Sequence, residues 1–173
     1  MRERGTAKRS TPVLNASGNY PLAYFITFTT HGTWLHGDAR GSVDRKHADF
    51  DAERLRPDPG RASVMGKQLR QAPVVLNESA RTTVDGAIRD ACNHRGWRME
   101  AVNVRTNHVH VVVGASEPPE RVMTTFKAWA TRRCREARLH DIHSGLWTRH
   151  GSTRYLWNDS DVAAAIDYVL NRQ

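Results

Sequence analysis

Residues 97–114, WRMEAVNVRTNHVHVVVG, decide the fold of this chain. The stretch contains two runs with strand-like composition, 97–104 and 108–114, and the connection between them is Arg105-Thr106-Asn107. In the second run, apolar and polar side chains alternate, which is typical of a strand with one buried face. A connection this short predicts an antiparallel hairpin.

Further elements are predicted upstream of this hairpin. The run AYFITFTT, residues 23–30, is dense in β-branched and aromatic side chains and predicts a strand at the centre of the sheet. Residues 76–95 have apolar side chains at helical spacing, with Asn77 available as N-cap and Gly96 just past the last turn. This pattern predicts a helix.

The downstream pattern completes the fold. An amphipathic segment predicts a helix over residues 120–138, and a fourth strand is expected within residues 146–157. The capping candidate Asn158 precedes the C-terminal helix VAAAIDYVLNRQ. The predicted fold class is α+β: a ferredoxin-like or RRM-like βαββαβ antiparallel sheet with helices on one face, plus a C-terminal helix.

The length of the chain predicts one domain. Residues 1–19 are polar and basic and are expected to form a flexible arm, and residues 20–173 form the single domain. Within it, residues 31–73 are rich in Gly, Pro, Asp and Arg without sustained periodicity. We interpret this segment as a long loop insertion with a functional role.

The charge balance favours a polyanionic partner. The chain of 173 residues has 26 Lys and Arg against 18 Asp and Glu, a formal net charge of +8 and a sequence pI near 10.2. Nucleic acid or an anionic membrane surface would fit this charge. No apolar run is long enough to span a bilayer or to act as a signal peptide, so we expect a cytoplasmic protein without a membrane partner.

The motif His108-Val109-His110 is the first candidate site. Strand residues two apart project from the same face, so the two imidazoles point the same way and Val109 points the other. Such a pair can hold a metal ion, or it can simply cover an exposed sheet face. Spacing alone leaves both interpretations open.

The string TNHVHVVVG resembles the His-hydrophobic-His strand of the HUH endonucleases, particularly the single-tyrosine transposases of insertion sequences and REP-associated elements. Residues 23–37 and 76–173 fit that family's plan. The resemblance implies a transposase that cleaves and rejoins single-stranded DNA beside a hairpin, working as a homodimer. It also implies Mg²⁺ or Mn²⁺ bound by His108 and His110.

By the same resemblance Tyr168, the single tyrosine of the predicted C-terminal helix, is the catalytic nucleophile. It would attack the DNA backbone and form a 5′-phosphotyrosine. The alternative is a half-buried core residue. Helical geometry places Tyr168 on the flank of the buried stripe formed by Val162, Ala165, Ile166 and Val169, at ~100° per residue, where it can reach the sheet surface.

The third metal ligand is less clearly marked. The family commonly has Gln four residues after the tyrosine, whereas this sequence has Arg172 there. Gln173 matches the family's residue type, and Asn171 lies closer to Tyr168 around a regular helix. We expect one of these two side chains to be the third metal ligand and favour Gln173 slightly.

Several other residues are candidates for DNA binding. Trp34 in the long loop can stack on an unpaired base or anchor the loop, and the neighbouring His31, His36 and Asp38 can also be interpreted as a second metal site. A basic stripe is expected on the second helix to contact phosphates. Its members are Lys127, Arg132, Arg133, Arg135 and Arg138.

Two other functions remain open from the sequence. A domesticated relative could bind structured DNA without cleaving it, and the departure at Arg172 is consistent with that. An RRM-like module that binds single-stranded RNA has the same strand order, but it stacks bases on aromatic residues of its central strands. The strand HVHVVV has none.

Overall fold

The computed structural model describes residues 20–33 and 72–172. The predicted basic arm, residues 1–19, lies outside the described residues, and so do residues 34–71 of the predicted loop insertion. The candidates Trp34, His36, Asp38 and Gln173 lie outside them as well. The predictions made for these segments therefore stay predictions.

The described residues form one four-stranded antiparallel sheet and three helices, which confirms the predicted fold class. The strand order is β2-β3-β1-β4, so the first strand is central, as predicted. In chain order the elements are β1 (Ala23–Thr30), α1 (Glu78–Arg95), β2 (Arg98–Val104), β3 (His108–Gly114), α2 (Pro119–Glu136), β4 (Trp147–Leu156) and α3 (Asp159–Asn171).

Local sequence signals explain where these elements begin and end. Asn77 caps α1, because its side-chain oxygen accepts a hydrogen bond from the backbone N–H of Ala80 at 2.8 Å. Gly96 ends α1 in the left-handed region at φ 67°, which glycine adopts without steric cost. The β2–β3 hairpin closes with the Arg105 N–H donating to the His108 carbonyl at 2.8 Å.

The two faces of the sheet bury different cores. Val109, Val111 and Val113 of β3 contribute to the larger core, which α1 and α2 cover. The opposite face holds a smaller core that includes Val112 of β3 and Val169 of α3. The side-chain alternation of β3 therefore places His108 and His110 on the α3 side of the sheet.

Helix α3 covers part of that face. It packs over β2 and β3 and buries Ala165 and Val169. The edge strand β4 is exposed along residues 149–152. Within the described residues, α3 meets the β1–β4 half of this face at Ala23, Phe25 and Leu156, so it covers that half only in part.

Helix α2 differs from its prediction at its C-terminal end. The predicted span ran to residue 138, but the helix ends at Glu136, because Arg138 takes φ 57° and breaks the helical geometry. Ala137 follows the last turn and is exposed, whereas Cys134 is fully buried. Burial raises the pKa of the Cys134 thiol to about 11.

No helix in the described ranges is both long and apolar enough to cross a membrane.

Candidate active site

The two histidines of β3 lie side by side on the face that carries α3. Their ring centroids are 4.7 Å apart and the rings meet at 71°. His110 is 7% exposed, whereas His108 is partly exposed. Two imidazoles at this separation can direct nitrogens at one common point.

Each imidazole is oriented through its Nδ1 atom. A hydrogen bond of 2.7 Å joins His110 Nδ1 to the hydroxyl of Thr27 on β1. A second bond of 2.7 Å joins His108 Nδ1 to the side-chain oxygen of the preceding residue, Asn107. Metal-binding histidines are usually held in this way, with one ring nitrogen on a polar partner and the other on the ion. Nε2 is therefore the nitrogen that each histidine would offer to a metal.

Tyr168 lies against the same cluster of rings. Its ring centroid is 5.8 Å from that of His110 and 5.9 Å from that of Phe25, with edge-to-face geometry in both pairs. Phe25 in turn stacks on His110 at 5.4 Å. Tyr168 is 41% exposed while Val169 is fully buried. The prediction that Tyr168 lies on the flank of the buried stripe is thus confirmed.

The end of α3 is fastened to the sheet by Asn103 of β2. The Asn103 side-chain N–H donates to the carbonyl of Val169 at 2.8 Å, and Asn103 is the cross-strand partner of His110. One row across the sheet therefore carries Asn103, His110 and Thr27. This row sets the distance between the tyrosine helix and the histidines.

Thr27, Asn107 and Asn103 are site residues that the sequence analysis missed. The alternation of β1 does place Thr27 and Thr29 on one face, opposite Ile26 and Phe28. Which threonine meets which histidine depends on the β1–β3 register, which the sequence does not reveal. Asn107 carried the clearest signal, because it directly precedes His108.

The structure places one candidate for the third ligand, Asn171, at the exposed end of α3. Its amide donates to Asp167 at 2.9 Å, and Arg172 donates to the same carboxylate at 2.7 Å. These bonds lower the pKa of Asp167. Across residues 20–33 and 72–172, no three His, Cys, Asp or Glu side chains gather as a metal site. His31, a candidate for a second metal site, donates its backbone N–H to Leu146 at 2.9 Å.

The basic residues predicted to form one stripe on α2 are not brought together. At ~100° per residue they are distributed around the helix, and Arg138 lies beyond its end. Arg133 pairs with Asp90 of α1 at 2.7 Å, and Arg135 donates to the Ser144 carbonyl at 3.2 Å. Arg132 lies over the Trp129 ring at 4.8 Å. All of them belong to the layer opposite the histidines.

Lys127 points towards β4. Its ammonium donates to the carbonyls of Thr148 at 2.9 Å, His150 at 3.1 Å and Arg149 at 3.5 Å. Burial lowers the pKa of Lys127 to about 8. In this position the side chain satisfies backbone carbonyls of the sheet, so a contact with DNA phosphate would require it to leave them.

Comparison with known proteins assigns the chain to a family. A sequence model described as "Transposase IS200 like" matches residues 67–169. The chain belongs to the IS200-like transposase family. The matched span includes the histidine pair, both helices of the larger core and Tyr168. A search of curated proteins finds no significant match.

Solved structures share the fold of this IS200-like chain. A candidate transposase from Deinococcus radiodurans R1 aligns with a TM-score of 0.50 and 16% identity, covering 100% of this chain and 98% of the other. A REP-associated tyrosine transposase, solved bound to a REP hairpin, aligns with a TM-score of 0.52 and 12% identity, covering 95% and 70%. At these identities the likeness concerns the fold.

Proposed function

We propose that this IS200-like chain cleaves and rejoins single-stranded DNA through a covalent bond to Tyr168, with a divalent metal ion held by His108 and His110. The observation that carries the proposal is the contact between the rings of Tyr168 and His110 on the α3 side of the sheet. A half-exposed tyrosine beside an oriented histidine pair, in a transposase family, has the parts that this chemistry needs.

The reaction is a transesterification at phosphorus. The Tyr168 oxygen forms a bond to the phosphorus, and the bond from phosphorus to the 3′ oxygen breaks. The leaving strand keeps a 3′-hydroxyl, and the other strand stays attached to the protein as a 5′-phosphotyrosine. Because the phosphodiester energy is kept in the covalent link, the 3′-hydroxyl of an incoming strand can reverse the step without a nucleotide cofactor.

The phenol has to lose its proton as its oxygen forms the bond to phosphorus. Tyr168 is exposed enough for the proton to pass to water. The ring contacts with Phe25 and His110 restrict the plane of the phenol. Their role is to hold the nucleophile in one orientation above the sheet.

The donor set on β3 fits Mg²⁺ or Mn²⁺ in part. Two imidazoles anchored through Nδ1 form a softer site than Mg²⁺ usually selects, so Mn²⁺ should bind at least as well. Bound there, the ion would polarise the scissile phosphate as a Lewis acid. Gln173 and Asn171 remain the proposed third ligands, and an oxygen of the DNA phosphate can complete the shell.

The proposed DNA partner is a single strand next to a hairpin. One protein of the same fold was solved with a REP hairpin, and the net charge of +8 suits a polyanion. We also propose a homodimer. Trp34 remains a candidate for stacking on an unpaired base, and the basic side chains of α2 remain candidates for contacts with DNA phosphates.

A second candidate is a domesticated relative that binds structured DNA without cleaving it. Arg172 stands where the family commonly has Gln, and it pairs with Asp167. This ion pair favours a structural role for the C-terminal end of α3. The two candidates differ in whether Tyr168 becomes linked to DNA.

The deciding experiment uses single-stranded DNA that contains the hairpins flanking the gene, with Mn²⁺ and the full chain, followed by a denaturing gel. DNA labelled at its 3′ end should give a protein-linked band, and DNA labelled at its 5′ end should give a shorter free strand. Tyr168→Phe should lose both products, while Tyr155→Phe, altered on β4, should keep them. Tight binding without a linked band would favour the non-cleaving relative.

A further inference from the structure

Strand β4 contains a three-residue bulge beside the candidate active site. Phe28 pairs with Gly151 and Thr30 pairs with Trp147, so the single residue Thr29 of β1 lies opposite three residues of β4, 148–150. We call residues 148–150 the β4 bulge. Bulges are common next to active sites, where they redirect side chains.

The β4 bulge is held by specific contacts. Lys127 reaches it from the layer of the larger core and donates to the carbonyls of all three of its residues. The Thr148 hydroxyl lies 3.0 Å from that of Thr29. Gly151 has no room for a side chain, because a Cβ atom would come within 2.5 Å of the Thr27 carbonyl. Because the Lys127 ammonium is partly buried and holds these three backbone carbonyls, the β4 bulge has a defined shape.

The β4 bulge lies close to the histidines. Thr29, which bonds to Thr148, is also the cross-strand partner of His108. Two strand spacings therefore separate the bulge from β3, a distance of about 10 Å. The β1–β4 half of the sheet face, which α3 covers only in part within the described residues, lies between them. A single strand of DNA whose scissile phosphate reached the histidines would pass over this half or along its edge.

The β4 bulge carries an exposed arginine, Arg149. Arg149 is exposed and has no ion pair or side-chain hydrogen bond within residues 20–33 and 72–172. Three exposed arginines of the helical layer differ, since Arg89 pairs with Asp85, Arg121 with Glu117 and Arg133 with Asp90. The planar fork of a guanidinium matches the oxygens of a phosphate, and Arg149 has no ion pair among the described residues that would compete with this bidentate contact.

We propose that the β4 bulge binds a backbone phosphate of single-stranded DNA adjacent to the scissile phosphate, with Arg149 as the main ligand. The inference rests on the proposed function for the identity of the DNA. Arg149 would fix the register of the strand over the sheet, since phosphate contacts position a nucleic acid without reading its sequence.

The test compares Arg149→Gln with Arg98→Gln. Arg98 is exposed on the opposite edge strand, β2, and pairs with Glu100, so its variant removes one charge away from the bulge. Binding of fluorescent single-stranded DNA is measured by anisotropy at several salt concentrations, in full chains that also carry Tyr168→Phe to prevent cleavage. Arg149→Gln should weaken binding roughly fivefold to tenfold. The slope of log K against log salt should fall by about 0.7.

The outcomes separate the two proposals. Equal affinity and salt slope for Arg149→Gln and Arg98→Gln would overturn the phosphate site, as would a chain that does not bind single-stranded DNA. If the two variants bind equally and the chain with an intact Tyr168 still forms its link to DNA, the phosphate site is rejected and the proposed function is retained. A weakened Arg149→Gln in a chain that never forms the link would keep the phosphate site and reject the cleavage chemistry. Arg149→Lys, which keeps the charge, should retain most of the salt slope.

Discussion

At the scale of single residues, the site is defined by side chains that fix the histidines and the tyrosine. The period of β3 was enough to predict that His108 and His110 share a face, because that relation is local. Their Nδ1 partners required knowledge of strand register, except for Asn107, which is adjacent in sequence. Thr27 is the clearest example of a partner that the sequence does not reveal, because its hydrogen bond to His110 joins two different strands that are distant in sequence.

Replacing Thr27 with Val should weaken metal binding without unfolding the chain. The substitution keeps the shape of a β-branched side chain on β1 and removes the hydrogen bond to His110 Nδ1. Loss of such a partner typically costs 10–100-fold in metal affinity. Mn²⁺ affinity can be measured by electron paramagnetic resonance. Thr29→Val is the matched control, two residues away on the same face, and equal affinities for the two variants would contradict this role.

Lys127 gives a prediction about pH. Burial lowers the pKa of Lys127 in the folded chain from 10.5 to about 8, so between these two pH values the side chain is protonated in the unfolded chain but largely neutral in the folded chain. The contribution of Lys127 to the free energy of unfolding is therefore most favourable above pH 10.5, and it is lost as the pH falls through 8. The free energy of unfolding, from urea titrations, should rise across this interval for the unaltered chain relative to Lys127→Met. A constant difference would show that the ammonium titrates normally.

At the scale of elements, α3 is the part whose attachment matters most. Periodicity predicted the helix and the position of Tyr168 on its flank, because both follow from the sequence of the helix itself. Its attachment to the sheet depends on Ala165, Val169 and one hydrogen bond from Asn103. A short helix with a small buried surface is expected to open locally more easily than the larger core.

Asn103→Ala should loosen the end of α3 and leave the rest of the fold intact. The lost hydrogen bond to the Val169 carbonyl contributes about 1 kcal/mol. Hydrogen exchange of the α3 amides should therefore become roughly fivefold faster, while exchange in α1 and β3 stays unchanged. Unchanged exchange in α3 would mean that the apolar contacts alone hold the helix.

Strand β4 and helix α2 show where the sequence was insufficient. The composition of residues 146–157 predicted a strand, but the β4 bulge arises from its pairing with β1 and from Lys127, which is distant in sequence. The basic residues of α2 were predicted as one phosphate-binding stripe. Their partners, such as Asp90 on α1, become visible only once the helices are packed together.

At the scale of the whole molecule, the tyrosine and the histidine pair of one chain lie together. A dimer whose subunits each use their own tyrosine agrees with this arrangement. Exchange of α3 between subunits would require breaking the contacts of Val169 and Asn103 with the sheet.

Mixing two inactive variants tests whether the site belongs to one chain. Tyr168→Phe retains the histidines and His110→Ala retains the tyrosine, so a site built within one chain stays inactive when the variants are combined. We expect no protein-linked DNA from the mixture on a denaturing gel. Recovery of a substantial part of the unaltered activity would show that subunits exchange tyrosines.

The most direct measurement of the central claim is the mass of the peptide that carries the DNA link. After reaction with single-stranded DNA and Mn²⁺, nuclease treatment and cleavage after arginine, residues 155–172 form one peptide that holds Tyr155 and Tyr168. We expect this peptide to gain the mass of a nucleotide joined through its 5′ phosphate, and fragmentation to place the nucleotide on Tyr168. A nucleotide on Tyr155 or on another peptide, or bound DNA with no modified peptide, would show that Tyr168 is not the nucleophile.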